Sequence, residues 1–459
     1  MPTPSTFSRD TIFAVATPPG KSALAVFRIS GPQAGTALTA MAGGAPKPRV
    51  AALRRLRDPD TQAVLDEALV LWFPGPRSET GEDIAELQVH GSRAVIAAVS
   101  EALAQMPGLR LAEPGEFARR AFGNGKLDLT AVEGLADLID AETEAQRRQA
   151  LLQSSGALRR LYDGWREDIV QAMALMEAAI DFSDEGDVAA TATDSARQLI
   201  EGKVLAPMRA HLDDGRRGEI LRQGFRVVIA GPPNAGKSSL INALSRRDVA
   251  IVSPEAGTTR DIIEVALDLE GVPVLVCDTA GIRDRAGAIE QEGIRRAVAR
   301  ASEANLVLWL VAAGEPAPIP GHALMPAALE QVPALRVLNK SDLVRGALPD
   351  AVAAAGADLA ISAATGEGVA ALVEAIAERA RADVLVAADE APVITQARHR
   401  AHVQDAVLEL EAYLAGDAHD VELRAEELRR AAQAVGRLTG RVDPEDVLDR
   451  LFSRFCIGK

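Results

Sequence analysis

The sequence predicts a multidomain α/β protein: an α+β domain, then a helical domain interrupted by a doubly wound phosphate-loop domain. Three observations predict it. Apolar residues alternate with a period of two, in runs broken by glycine and proline, over residues 1–122. They recur at helical spacing over about 127–222 and again beyond residue 397. Between those helical stretches, Arg226-Val-Val-Ile-Ala230 runs into Gly231-x-x-x-x-Gly236-Lys237-Ser238 and then into the helix-like Ser239-Leu-Ile-Asn-Ala-Leu244. The expected boundaries are 1–122, 123–222, 223–382 and 383–459, the second and fourth segments forming one helical domain.

Composition bounds the partners. The 459 residues have room for about three domains, and a hydrophobic fraction of 48% supports real cores. A net charge of −15 argues against a non-specific nucleic-acid binder. A specific RNA partner would need local basic patches, and the chain offers scattered pairs: Arg54-Arg55, Arg119-Arg120 and Arg159-Arg160. Such pairs are expected on solvated helix faces. Aromatics at 3% leave few base-stacking platforms. Two cysteines, Cys277 and Cys456, are too few for a disulfide framework. With neither a signal peptide nor a membrane-length apolar run, a cytoplasmic, non-membrane protein is expected.

In the first domain the strands are expected at Ile12-Phe-Ala-Val-Ala16, Leu24-Ala-Val-Phe-Arg-Ile29, Ala68-Leu-Val-Leu-Trp-Phe73 and Ile84-Ala-Glu-Leu-Gln-Val89. A helix is expected over 94–106, and Pro18-Pro-Gly20 and Pro74-Gly-Pro76 are turns at strand ends, where binding loops tend to lie. Long amphipathic helices follow over 131–152 and 158–180, resuming over 397–414 and 422–439.

The inserted module reads as a Ras-like P-loop GTPase. With average glycine usage of about 7%, its four fixed loop positions match by chance in roughly one chain of this length in a hundred. Glycines in such a loop turn consecutive N–H groups toward one anion, and the helix N-terminus adds partial positive charge. Lys237 would reach the β- and γ-phosphates, and Ser238 would ligate Mg²⁺, with Asn234, Ala235, Gly236 and Ser239 completing the cradle. The segment Ile251-Val-Ser-Pro-Glu-Ala-Gly-Thr-Thr-Arg-Asp261 is the expected switch, where Thr259 joins the Mg²⁺ site. Val274-Leu-Val-Cys277 is a buried strand leading to Asp278-Thr279-Ala280-Gly281; Asp278 would hold the Mg²⁺ water shell and the Gly281 N–H would meet the γ-phosphate. Two more strands, 306–311 and 335–338, precede Asn339-Lys340-Ser341-Asp342. A carboxylate at Asp342 accepts two hydrogen bonds from the guanine N1–H and amino group, which adenine does not offer. Ser362, Ala363 and Ala364 would close the base pocket. Ile282 stands where Ras-like switches carry a water-orienting glutamine, which leaves Glu290 as the candidate for that task.

The chain ends Asp449-Arg-Leu-Phe-Ser-Arg-Phe-Cys-Ile-Gly-Lys459. A terminal Cys-Ile-Gly-Lys, on a GTPase inserted in a helical domain, closely resembles the MnmE (TrmE) family of tRNA-modification GTPases. Ala16-Thr-Pro-Pro-Gly20, Phe27-Arg-Ile-Ser-Gly31, Thr80-Gly-Glu-Asp83, Glu86-Leu-Gln-Val-His-Gly91, Pro114-Gly-Glu-Phe117 and Lys126-Leu-Asp-Leu129 resemble it too, so the likeness spans the chain. One departure is Ser92, where a second glycine is expected.

The resemblance implies that the protein acts on the wobble uridine at C5 in a subset of tRNAs, building aminomethyl or carboxymethylaminomethyl groups. It implies a homodimer and a heterotetramer with MnmG (GidA), which brings FAD and uses NADH. It implies a one-carbon unit from a tetrahydrofolate derivative (5-formyl- or methylene-tetrahydrofolate), held by the N-terminal, dimer-forming domain through Arg28, Glu86, Lys126 and Lys459. It further implies K⁺ at Asn234, Ser253, Glu255 and Thr258, the segment Ser253, Pro254, Glu255, Ala256, Gly257 and Thr258 wrapping GTP, with Glu290 and Cys456 as catalytic residues. Two other readings compete: a ribosome-assembly or regulatory GTPase that modifies nothing, and a stand-alone folate aminomethyltransferase. The first leaves the N-terminal domain and terminal cysteine without purpose; the second leaves the GTPase module unexplained.

Overall fold

A computed structural model describes residues 10–182, 186–214, 216–232, 234–247, 249–251, 264–278, 304–313, 332–384, 392–417, 420–442, 448, 451–453, 455 and 457–458. The chain divides into two compact units, each assembled from separate stretches. The first takes Met1–Ala136, Gln153–Val204 and Asp405–Lys459; the second takes Asp137–Leu152 and Leu205–Gln404.

The first unit opens with six strands: β1 (Thr11–Val15), β2 (Leu24–Ser30), β3 (Ala52–Arg57), β4 (Val64–Phe73), β5 (Ile84–His90) and β6 (Leu109–Leu111). They lie in the order β3-β4-β5-β2-β1-β6, and only the β1–β6 pair is parallel. Helices Ala34–Ala42 and Arg93–Gln105 pack on this sheet, burying Phe27, Ile29, Leu38, Leu87 and Leu103 in one core. Ser92 caps the second helix by accepting a hydrogen bond from the Val95 N–H at 3.2 Å, a bond glycine cannot offer. The departure at that position is therefore a helix start.

The arginine pairs do not behave as a class. Arg54 and Arg55 lie on β3, a strand absent from the sequence reading, and Arg55 pairs across to Glu67 at 2.6 Å. Arg120 sits in a helix but is only 3% exposed. The expectation of solvated helix faces fails for both.

The expected helix over 131–152 is two helices, Leu129–Ile139 and Glu144–Ser154. The break is a capping box. Gln146 Oε1 accepts from the Thr143 N–H at 3.1 Å, and Thr143 Oγ1 accepts from the Gln146 N–H at 3.4 Å. Helix Ala157–Asp181 buries Tyr162, Trp165, Ile169, Ala172 and Met176, alternating three- and four-residue steps on one stripe. That stripe packs against Val421–Leu438 and Gly186–Leu199. Among the described residues no helix is long and apolar enough to cross a membrane.

The second unit carries β7 (Phe225–Ala230), β8 (Glu264–Leu269), β9 (Val272–Asp278), β10 (Leu306–Ala312), β11 (Ala334–Asn339) and β12 (Leu359–Ala360). Their order is β12-β11-β10-β7-β9-β8, parallel except for the edge strand β8. Near-continuous apolar runs suit parallel strands covered on both faces, and Val227, Ile229, Val274, Leu308 and Val337 are buried accordingly. Helices Lys237–Ser245 and Val369–Val384 contribute to the same core.

The segments entering and leaving this sheet are clamped together. Arg400, from helix Ala397–Ala415, donates to Glu219 at 2.7 Å, to Asp214 at 2.6 Å and to the Leu212 carbonyl at 2.8 Å. Burial beside this clamp pushes the His211 pKa down to about 4; the charges of His399 and Arg400 act in the same direction, against Asp214. A histidine whose folded pKa is depressed loses stability as pH falls, because the unfolded chain takes up the proton first. The contribution is complete above about pH 6.5 and fades toward pH 4, by at most about 3 kcal/mol. Urea unfolding at pH 7.5 and 5.0 should show a loss of stability that His211→Gln reduces; an equal loss in both proteins removes His211 as its source.

Candidate functional site

The functional side chains of the second unit gather at the carboxyl ends of the parallel strands, where open α/β sheets bind ligands. The loop after β7 depends on two glycines. Gly231 has φ +146°, and a Cβ built on it would fall 2.2 Å from the Leu310 carbonyl oxygen of β10. Gly236 has φ +92°, and its Cβ would fall 2.3 Å from Asn339 Nδ2. Neither position accepts a side chain. Asn234 also adopts a left-handed conformation, φ +62°, and is exposed, while Ala235 is buried. Lys237 opens helix Lys237–Ser245, and its Nζ donates to the Gly231 and Pro232 carbonyls at 2.8 and 2.9 Å. The ammonium is thus held over the loop. Ser238 and Ser239 are exposed in the first turn.

Asn339, at the end of β11, is 1% exposed. Its Nδ2 donates to the Ala235 carbonyl at 2.8 Å, and its Oδ1 accepts from the Ala363 N–H at 3.0 Å. One carboxamide therefore ties the phosphate loop to the loop after β12. Lys340 turns the chain at φ +61°, and Ser341–Leu343 form a short 3₁₀ turn anchored by the Ser341 N–H on the Ile361 carbonyl at 3.0 Å. Asp342 is exposed and accepts the buried Ser362 hydroxyl at 2.6 Å. Ser362 also accepts from the Thr365 N–H at 3.2 Å, so the residue that orients Asp342 is itself fixed. Ala363 is half-buried and Ala364 exposed.

Ser253, Pro254, Glu255, Ala256, Gly257, Thr258, Thr259, Thr279, Ala280, Gly281, Ile282 and Glu290 lie outside the described residues, as do Cys456 and Lys459. The backbone of Asp278 closes β9, and Cys277 precedes it, half-buried in the strand.

In the first unit, the register of β2 on β5 sets Arg28 opposite Glu86. The guanidinium donates to Glu86 Oε1 at 3.2 Å, meets Glu79 at 2.9 Å and lies 5.8 Å from the centre of the Phe117 ring. Lys126 is exposed, and its Cε would lie 3.4 Å from a Cβ on Gly81, two residues from Glu79. Glu79 and Phe117 are thus neighbours of Arg28 that the sequence reading did not single out. The tail reaches the same region: Ile457 bridges Pro114, and a Cβ on Gly458 would fall 2.5 Å from the Val15 carbonyl. Val15 pairs with Phe27, the residue before Arg28. Phe452 and Phe455 anchor this tail against Ala118 and Val132.

The same unit holds a charged network centred on Arg120, which reaches Asp10 at 3.2 Å, Glu82 at 3.2 Å and Glu116 at 2.9 Å. Arg110 joins Glu116 at 2.6 Å. Burial pulls the Glu116 pKa up, but hydrogen bonds from Arg110, the Glu113 N–H and Arg120 outweigh it and hold the carboxyl below its usual range. Ser30 bridges Thr80 at 2.7 Å and Glu82 at 2.8 Å.

A glycine-hinged phosphate loop on a parallel sheet, joined through Asn339 to an oriented carboxylate at Asp342, defines a P-loop protein with a guanine-type base pocket. The chain belongs to the MnmE family. Residues 11–126 match the model of the GTP-binding protein TrmE N-terminus, and residues 129–456 match that of the MnmE helical domain. It is 55% identical over 458 residues to the tRNA modification GTPase MnmE of Parvibaculum lavamentivorans, covering 98% of this chain and 100% of that protein. It is 53% identical to the protein of that name from Methylobacterium sp. (strain 4-46) and 50% identical to that from Rhodospirillum rubrum, covering 98% of this chain in each case, and 100% and 99% of those proteins.

Asn339→Ala strands the buried Ala235 carbonyl, worth about 1–3 kcal/mol, and frees the half-buried Ala363 N–H. Thermal unfolding should shift down and guanine-nucleotide affinity should fall in the same variant. Unchanged affinity would show that the phosphate loop holds its shape without this tie.

Proposed function

We propose that the chain is a GTP-hydrolysing enzyme of tRNA modification. With an FAD-containing MnmG-type partner it adds an aminomethyl or carboxymethylaminomethyl group to C5 of the wobble uridine in certain tRNAs, using a folate one-carbon unit. The observation that carries this reading is the end-to-end match, over 98% of the chain, to proteins named tRNA modification GTPase. The geometry agrees: the same chain holds a phosphate cradle and an Arg28–Glu86 pair beside its own docked tail.

In the nucleotide site, the loop N–H groups and Lys237 receive the phosphates, and Asp342, held by Ser362, receives the guanine edge. The loop fits a nucleotide, because Gly231 and Gly236 admit no Cβ and leave the backbone bare. Ser238 and Thr259 would hold Mg²⁺; Asn234, Ser253, Glu255 and Thr258 would hold K⁺. These ions supply positive charge to the phosphoryl group in transit. Glu290 then orients water, the task for which Ile282 is unfit.

The residues around Arg28 in the first unit suit a folate. Arg28 offers a fork to carboxylates, Glu86 accepts from a pterin edge, and the exposed Lys126, with Lys459, draws the glutamyl carboxylates. Bound tetrahydrofolate supplies the one-carbon unit. Cys456 acts there as acid, base or nucleophile. A homodimer, in a heterotetramer with the partner and acting on tRNA, completes the assembly. The alternative, a ribosome-assembly or regulatory switch without modification chemistry, gives the Arg28–Glu86 pair and the terminal cysteine nothing to do.

Two experiments test this. In the first, Asp342→Asn should weaken GTP binding and admit xanthosine triphosphate, since an amide replaces an acceptor by a donor; unchanged discrimination between GTP and ATP would remove Asp342 from the base site. The second compares Glu290→Ala with Cys456→Ser, with partner and tRNA present and in K⁺ or Na⁺ at matched ionic strength. Glu290→Ala should lower hydrolysis with near-native nucleotide affinity, and Cys456→Ser should hydrolyse normally, faster in K⁺, yet leave the uridine unmodified. Wild-type modification by Cys456→Ser would make the tail purely structural.

A further inference from the structure

The end of the chain is seated in the first unit at points that leave no room for a side chain. Helix Glu116–Gly123 starts at Gly115, which adopts φ +67°. A Cβ built on Gly115 would fall 2.6 Å from the Phe452 carbonyl oxygen and 2.9 Å from the Phe452 Cα. Both are backbone atoms, so no rotamer change relieves the overlap and one of the two segments must shift. The neighbouring Pro114 pairs antiparallel with Ile457. Gly458 repeats the arrangement from the tail itself. Its φ is +105°, and a Cβ there would fall 2.5 Å from the Val15 carbonyl oxygen and 3.0 Å from the Ala16 Cα.

Helix Glu116–Gly123 also touches the Arg28 site. Phe117 is buried, and the Arg28 guanidinium lies 5.8 Å from the centre of its ring. The next two residues hold the tail. Ala118 packs with Phe452 and Phe455, and the Arg119 guanidinium lies 5.2 Å from the centre of the Phe452 ring. Val15, against which Gly458 rests, pairs with Phe27, the residue before Arg28. The seat of the tail and the setting of Arg28 therefore share a helix and a strand pair. Cys456 stands in the sequence between Phe455, which is buried, and Ile457, which is paired.

A left-handed φ alone does not explain Gly115, because asparagine adopts that conformation too. The contact with Phe452 excludes asparagine as well, since it excludes any Cβ. We infer that Gly115 is a positioning residue for the folate chemistry. By lacking a Cβ it lets the tail settle beside the helix that carries Phe117, and so fixes the chain end relative to Arg28 and Glu86. This inference rests on the folate reading above and adds what registers the tail. Gly115 acts through geometry, where a displacement of about 1 Å costs up to about a hundredfold in rate.

The test uses the full-length chain carrying Gly115→Asn, which accepts the left-handed helix start and adds the Cβ. Hydrogen exchange should rise in the peptide spanning 451–459 and stay at the wild-type level in β2 and β5. Uridine modification, with an MnmG-type partner and tRNA, should fall at least about tenfold. GTP hydrolysis on the same preparation should keep the wild-type rate. Gly458→Ala meets Val15 from the tail, leaves helix Glu116–Gly123 untouched and should give the same pattern. Wild-type exchange in the tail of both variants overturns the inference, and so does a loosened tail with modification unchanged. Exchange that rises across β2 and β5 as well overturns it too, making Gly115 a residue of the fold alone. A wild-type chain that binds no 5-formyl-tetrahydrofolate would overturn the folate reading itself, and this inference with it.

Discussion

The buried carboxamide of Asn339 is the constraint on which the nucleotide site depends. It is a donor and an acceptor on one rigid plane, and both ends are used, on the Ala235 carbonyl and the Ala363 N–H. In the proposed function these two loops take different parts of a nucleotide, one the phosphates and one the base. Their separation is therefore set by a single side chain. The close approach leaves no space at Gly236, where a Cβ would collide with Asn339 Nδ2. The glycine and the asparagine are two halves of one packing requirement, although 103 positions separate Gly236 from Asn339 in the sequence. Asp342 is then positioned three residues beyond this fixed point and finished by Ser362.

The first unit solves a related problem with ions. Thr80-Gly-Glu-Asp83 and Pro114-Gly-Glu-Phe117 each place a glutamate on Arg120, and the hydroxyls of Ser30 and Thr80 close the network around Glu82. A charge this deep costs several kcal/mol to desolvate unless it is fully paired. Arg120 meets that demand with three carboxylates, Asp10, Glu82 and Glu116. The motifs are thus structural at Glu82 and Glu116, and they carry Phe117 to the Arg28 guanidinium. The Arg28–Glu86 pair rests on two supports, the β2–β5 register on one side and this network on the other.

Much of this was legible in the sequence because it is local. The strands β1, β2, β5, β7, β10 and β11 follow from short apolar runs, and the phosphate loop from glycine spacing. What escaped depends on distant partners or on side-chain detail. Strand β3 reads Ala-Leu-Arg-Arg-Leu-Arg and lies at a sheet edge with Leu53 exposed, so its alternation is weak. The break between the helices at 139 and 144 was written in Thr143-x-x-Gln146, a local signal that apolar periodicity masks. Arg120 looks no different from Arg119 in sequence, and only the return of residues 10 and 82 to its side makes it a buried centre. Asn339 is legible as part of the expected guanine motif, but its ties to the Ala235 carbonyl and the Ala363 N–H depend on loops distant in sequence.

One arginine joins the two segments that lead into and out of the second unit's sheet. Residues 212–219 enter the sheet and residues 392–400 leave it. Arg400 binds the entering segment at Leu212, Asp214 and Glu219. A Cβ on Gly218 would fall 2.4 Å from the Ile394 carbonyl, so the two segments touch backbone to backbone. The two segments are thus fixed to each other by one side chain and one close backbone approach. Helix Arg217–Gln223 leads from this clamp into β7, the strand that ends at the phosphate loop, so regular structure rather than a long linker connects the clamp to the loop.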